Sequence, residues 1–183
     1  MAKRYYELHV AGCVRQLPVL NISDKMAIAG FVILGDTEIV EKCAKELAKK
    51  VPEETDLIFT AETKGIPLAH ELAKDLGMRN YICARKGTKA YMENPIWVED
   101  ESITTAGKQK LYLSQTDVEL IKGKNILLVD DVISTGGSMK AMEKLVSKAG
   151  GKVIGEAAIL AEGDAAKRKD IIFLEPLPLF DAK

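Results

Sequence analysis

Apolar residues recur along this chain in two spacings, and the two alternate. Ile39, Cys43 and Leu47 fall four apart with Val40 and Ala44 beside them, which predicts a helix over residues 36–50. Asp36 or Thr37 suits its N-cap, Glu38 and Glu41 suit its first turn, and Pro52 follows its end. Leu68, Ala69, Leu72, Ala73 and Leu76 predict a second helix over 66–76, stopped by Gly77. Met139, Met142, Leu145, Val146 and Ala149 predict a third, ending at Gly150-Gly151. Short continuous aliphatic runs stand between them: DLIFT (56–60), YICA (81–84), NILLV (125–129) and the stretch 152–160. The Ala11-Gly12 pair between two apolar runs, 5–10 and 14–22, predicts an N-terminal hairpin, and 171–174 reads as a short edge element.

Strands without polar alternation are buried on both faces. The order strand, helix, strand, helix, strand therefore predicts an α/β fold, an open, mostly parallel twisted sheet with helices on both faces, forming one domain over residues 1–183. Ligands of such sheets bind at the carboxyl ends of the strands. Residues 86–110, KGTKAYMENPIWVEDESITTAGKQK, break the alternation, and so long a polar excursion predicts a flexible lid, with IWV and LYL as the arms of a hairpin.

Composition narrows the partners. The 183 residues are 47% hydrophobic and 29% charged with a formal net charge of -1, so nothing in the overall charge calls for nucleic acid or a membrane surface. Any bound anion must be held by a local arrangement. Cys13, Cys43 and Cys83 show no CxxC spacing and lie in apolar stretches, which fits small core residues in a reducing compartment. The N-terminus is too polar for a signal peptide and the apolar runs are too short for a membrane span, so a cytoplasmic protein is expected.

The chemistry concentrates in NILLVDDVISTGGSM (125–139). NILLV carries the chain to the sheet's carboxyl edge. Gly136 and Gly137 let the backbone fold until several N–H groups face one point. Ser134, Thr135 and Ser138 add hydroxyl donors, and a helix starting near Gly137 adds its positive end. Those features suit a phosphate monoester. Asp130 and Asp131 would repel a phosphate, but they suit the hydroxyls of a ribose or a divalent metal. The two halves together fit a ribose 5-phosphate. No lysine follows the glycines, so the segment is not a Walker-type loop, and it is not GxGxxG either.

This segment resembles the phosphoribosyl pyrophosphate (PRPP) signature of the type I phosphoribosyltransferases, and the resemblance runs from about Arg4 to Leu160. It implies that Asp130 and Asp131 engage the ribose, with Mg²⁺ held there directly or through ribose hydroxyls or water. Residues 134–138 would then bind the 5-phosphate. It further implies a pyrophosphate loop at Ala61, Glu62, Thr63, Lys64 and Gly65, where the family often has a non-proline cis peptide. Arg85 and Lys86, two cations at the sheet's carboxyl edge, suit the pyrophosphate or a purine carbonyl and resemble the segment that opens the lid in purine-type relatives, and Lys108 on the returning arm would close over the pyrophosphate.

A base-covering hood is implied within residues 1–35, with Leu17 and Val19 on one side of the base and Val132 and Ile133 on the other. The implied reaction is adenine plus PRPP giving AMP and pyrophosphate, in a homodimer. The lid departs from the adenine type, since Thr105 stands near where those enzymes carry a glutamate. Xanthine, hypoxanthine or guanine as the base, or a PRPP-binding regulator without turnover, remain alternatives.

Overall fold

Asp36 caps the first long helix as its position suggests, its carboxylate accepting the Ile39 N–H at 3.2 Å. Arg15 reaches over from the N-terminal hairpin and binds that same carboxylate at 2.7 Å. The computed structural model describes residues 4–100 and 109–182. Its first half runs β1 (Tyr5–Val10), β2 (Cys13–Asn21), β3 (Met26–Ala29), α1 (Thr37–Ala48), β4 (Leu57–Ala61), α2 (Ile66–Asp75) and β5 (Tyr81–Ala84). A ribbon of β6 (Ile96–Asp100) and β7 (Gln109–Leu113) follows, then α3 (Gln115–Ile121) and β8 (Asn125–Ile133). The chain ends with α4 (Gly137–Lys148), β9 (Lys152–Glu162), a 3₁₀ turn, β10 (Glu175–Leu177) and β11 (Leu179–Asp181).

The central sheet has the order β10-β9-β8-β4-β5, and every pairing in it is parallel. Leu127, Val129, Ile58 and Ile159 face α1, α2 and the N-terminal strands on one side. Ile126, Leu128, Phe59 and Ala158 face α4 and the β6–β7 ribbon on the other. The expected open parallel sheet with two covered faces is therefore present. All three thiols are free. Burial pushes the Cys43 thiol up to about 12, as fits a core residue without redox chemistry. Among the described residues no helix is long and apolar enough to cross a membrane.

Several elements differ from the expected ones. The N-terminal hairpin is half of a four-stranded sheet, β1-β2-β3-β11, completed by β3 and by the end of the chain. Residues 171–174 make only an isolated bridge, Ile172 to Ala157, and the edge strand is β10 instead. The short helix α3, carried by a Ser114–Asp117 capping box, was too brief to show a periodic stripe. Residues 86–110 do contain the expected hairpin, but its root is not free. Arg85 and Tyr112 exchange backbone hydrogen bonds at 3.0 and 2.8 Å, which joins β7 to the end of β5. Lys148 of α4 donates to the Trp97 carbonyl at 3.0 Å.

Candidate active site

The site follows from the order of the strands. β4 and β8 are neighbours, yet α2, which follows β4, lies on one face of the sheet and α4, which follows β8, lies on the other. Their pairing ends at Phe59 and Leu128, so a crevice opens between their carboxyl ends, where open α/β sheets bind ligands. Asp130 and Asp131 come after the last β4–β8 pair, at the wall of that crevice.

A cavity of about 440 Å³ occupies the crevice. Asp130, Asp131, Ser134 and Ser138 line it from the β8–α4 connection, and Ala61, Glu62, Thr63 and Lys64 line it from the loop after β4. Gly136 is the N-cap of α4 with φ +80°, a left-handed conformation that glycine adopts without strain. The N–H groups of Thr135, Gly136, Gly137 and Ser138 have no backbone acceptor among the described residues. With the positive end of a 12-residue helix behind them, they form a cradle suited to an anion.

The loop from Ala61 to Gly65 presses against Asp130, and its last residue explains how. A Cβ on Gly65 would clash with Thr60 Oγ1 and stand 3.1 Å from Asp130 Oδ1 and 3.3 Å from Asp130 Cα. Only glycine permits that approach. The peptide between Glu62 and Thr63 is cis. Glu62 accepts the Lys86 N–H at 2.7 Å and holds the Arg85 guanidinium at 2.6 Å, so its carboxylate ties the loop to the start of residues 86–110.

The two aspartates differ. Asp131 is 2% exposed, and Lys64 Nζ lies 2.6 Å from its Oδ2. Asp130 accepts the Asp131 N–H at 2.8 Å on Oδ1. Burial and then the adjacent Asp131 charge push its carboxyl well above the usual carboxylate range. Two hard oxygen donors side by side fit Mg²⁺, which is commonly held by one or two carboxylates, with substrate phosphates and water completing its shell. The described residues hold no cluster of three or more metal-ligating side chains, so the substrate would supply the remaining ligands.

The proposed site residues separate into groups. The acidic pair, Ser134, Ser138, residues 61–64 and Lys86 all face the one cavity, while Thr135, Gly136 and Gly137 contribute the turn and the helix start beside it. Lys64, expected to meet pyrophosphate, is engaged by Asp131, and Glu62 faces cations, not the cavity's anion positions. Arg85 does not line the cavity, because Glu62 and the Tyr91 hydroxyl hold it at the rim. Lys108 and Thr105 lie outside the described residues.

The expected base pocket is corrected in part. Leu17 is 6% exposed and belongs to the core beneath the N-terminal sheet, and Val19 pairs with Ala29 one strand away from the cavity. Ile133, 1% exposed, packs on the α4 side. Val132 alone of the four lines the cavity, and residues 28–32 line it as well, with Phe31 and Val32 among them. The run MAIAGFV was the available signal, but a strand ending in glycine within an apolar stretch reads equally as plain core. Glu162 and Leu177, on the same cavity, were missed as well. Glu162 carries a legible sign, an acid ending an aliphatic strand at the sheet's carboxyl edge, as Asp130 does.

Comparison with known proteins agrees with this geometry. The sequence model of the phosphoribosyl transferase domain matches residues 34–177, leaving β1 to β3 outside it. The chain is 31% identical over 145 residues to the hypoxanthine/guanine phosphoribosyltransferase of Methanococcus voltae, covering 79% of this chain and 73% of that one. It is 33% identical over 149 residues to the adenine phosphoribosyltransferase of Thermosipho africanus, covering 78% and 84%. The crystal structure of adenine phosphoribosyltransferase from Thermoanaerobacter pseudethanolicus superposes with a TM-score of 0.64 at 26% identity, over 79% of this chain and 84% of that one. A free amide cradle beside paired carboxylates, on a fold and sequence shared with these enzymes, places the chain in the phosphoribosyltransferase family, as a transferase of the purine type.

Proposed function

We propose that the chain transfers the 5-phosphoribosyl group of PRPP to adenine, releasing AMP and pyrophosphate in a Mg²⁺-dependent reaction. The observation that carries this reading is the meeting, in one cavity, of the residue 134–138 cradle, the Asp130–Asp131 pair and the loop ending at Gly65. The cradle amides and the Ser134 and Ser138 hydroxyls bind the 5-phosphate. Asp130 and Asp131 accept from the ribose hydroxyls and orient C1′. The pyrophosphate lies at the loop of residues 61–65, where helix α2 begins, with Lys86 on the same cavity.

The base nitrogen forms its bond to C1′ as the bond from C1′ to the pyrophosphate oxygen breaks, and the nitrogen gives up its proton. Such a displacement develops positive charge on the sugar. The carboxylates beneath the ribose oppose that charge, and the Glu62 tie keeps the leaving-group loop in place. Asp130 and Asp131, with substrate oxygens, would hold Mg²⁺, which when bound would supply neutralising charge for the leaving pyrophosphate.

Adenine is favoured because the Thermosipho relative and the Thermoanaerobacter structure are adenine phosphoribosyltransferases. The second reading takes hypoxanthine or guanine, supported by the 31% identity to the Methanococcus enzyme over a similar span. The test is pyrophosphate release from PRPP and Mg²⁺ with adenine, hypoxanthine, guanine, xanthine, uracil and orotate in turn. Release with adenine at the highest kcat/KM supports the reading, and a 6-oxopurine in first place replaces it with the second. Release with none makes the chain a PRPP-binding regulator. A homodimer rests on the family resemblance, and sedimentation at the 20.0 kDa mass of one chain would remove it.

A further inference from the structure

One carboxyl on the cavity has no part in holding the sugar phosphate. Glu162 ends β9, and β9 pairs Leu160 with Val132 and Ala161 with Ile133. Side chains two apart on a strand leave the same face, so Glu162 rises from the sheet on the side of Val132, one step nearer the carboxyl edge. Val132 and Glu162 both line the cavity, as do Phe31 and Val32. An aromatic ring joined to C1′ of a sugar held at Asp130 would lie with its face on Val132 and its rim toward Glu162.

The carboxyl itself is half-buried, and no donor among the described residues bonds to it. Burial raises it above the usual carboxylate range, while the Lys64 charge pulls it the other way. Half-buried at the edge of the cavity, that carboxyl is open to a donor from water or from a ligand. Asp131, by contrast, already has Lys64.

We infer that Glu162 is a specificity-determining residue that accepts a hydrogen bond from an exocyclic amino group on the rim of the purine. Adenine carries such a group at C6 and guanine at C2. Hypoxanthine and xanthine carry none: hypoxanthine presents a carbonyl oxygen at C6 and only hydrogen at C2, xanthine presents carbonyl oxygens at both, and a carbonyl oxygen turned toward Glu162 repels the carboxylate. The inference rests on the purine phosphoribosyltransferase reading, and it adds that aminopurines are taken in preference to oxopurines that lack an amino group.

The test uses binding, so that it stands apart from turnover. AMP, GMP, IMP and XMP are titrated calorimetrically into the wild-type protein and into Glu162→Gln and Glu162→Leu, with ribose 5-phosphate as the control ligand. In the wild type AMP or GMP should bind about 10- to 100-fold more tightly than IMP and XMP, the range expected for one hydrogen bond to a charged group. That ratio should fall to about threefold or less in Glu162→Leu, and stand between in Glu162→Gln, whose amide can accept or donate. Affinity for ribose 5-phosphate should not change, which separates the effect from misfolding. Equal binding of AMP, GMP and IMP by the wild type, or an undiminished ratio in Glu162→Leu, overturns the inference. If base discrimination is present while no base supports pyrophosphate release, the catalytic reading fails and the role of Glu162 stands.

Discussion

Replacing Gly65 with alanine separates contact from conformation. Gly65 has φ -70° and ψ -15°, which any residue adopts. On backbone grounds alone, alanine should stabilise the protein by about 0.4–1 kcal/mol, because it narrows the unfolded ensemble. The surroundings say the opposite. The new methyl would collide with Thr60 Oγ1 and press on Asp130 Oδ1 and Cα at 3.1 and 3.3 Å. Thr60 is fully buried on a central strand, and Asp130 is held by the Asp131 N–H, so neither can yield cheaply. Overpacking of this kind costs about 1–3 kcal/mol.

For a domain of this length each kcal/mol lowers Tm by roughly 2–4 °C, so Gly65→Ala should melt about 2–12 °C below the wild type. Gly87→Ala is the control, because a Cβ there meets nothing within 4 Å. Thr60→Ala removes the atom struck first, and the double variant should recover part of the loss, with a coupling of at least about 0.5 kcal/mol. Pushing the loop off Asp130 should also lower kcat/KM for PRPP by at least about tenfold, since a misplacement near 1 Å can cost more. A Gly65→Ala protein that is as stable as the wild type and equally active would refute the argument that this glycine is required by close approach.

Asp130→Asn combined with Asp131→Asn should abolish PRPP binding by calorimetry while the circular dichroism spectrum is retained, and unchanged affinity would remove the ribose assignment. Lys64→Ala should raise the KM for PRPP about tenfold, for loss of a charge-assisted contact. Its cost in urea unfolding should exceed the ~1 kcal/mol of an exposed pair, because the partner left behind, Asp131, has a side chain only 3% exposed. Glu162→Gln gives a pH signature. The folded carboxyl sits above its ordinary value of 4.5, so between the unfolded and folded pKa values the native state binds more protons than the unfolded one. Wild-type stability contributed by this group is then full below the unfolded value and declines as pH rises through the folded one. Glu162→Gln lacks that decline, so its stability relative to wild type should be greater at pH 8 than at pH 4 in urea titrations, and a constant difference would contradict the shift.

The side of the cavity proposed to hold the sugar phosphate was legible as a cluster because its chemistry is local. Acid, turn and helix start occupy consecutive positions from Asp130 to Ser138, and a parallel strand delivers them to one edge. The side proposed to hold the base was not, because it is assembled from distant segments, with Phe31 and Val32, Val132, Glu162 and Leu177 meeting only through sheet topology. Leu17 illustrates the loss. An apolar residue on an alternating strand shows that it faces inward, but not whether a core or a cavity lies there. The Lys64–Asp131 pair, 67 residues apart in sequence, had no local sign either.

The last pairing of the N-terminal sheet has a consequence for how this protein is made. Residues 26–29 emerge from the ribosome well before residues 179–181, yet one of their edges is completed by β11, far later in the chain. Until Leu179, Phe180 and Asp181 dock, that edge of β3 stays open beside a segment that lines the cavity. Long-range closure of this sort is slow. Strands β9, β8, β4 and β5 can therefore be in place while residues 28–32 still lack their finished edge, so the cradle of residues 134–138 should mature before that part of the cavity lining.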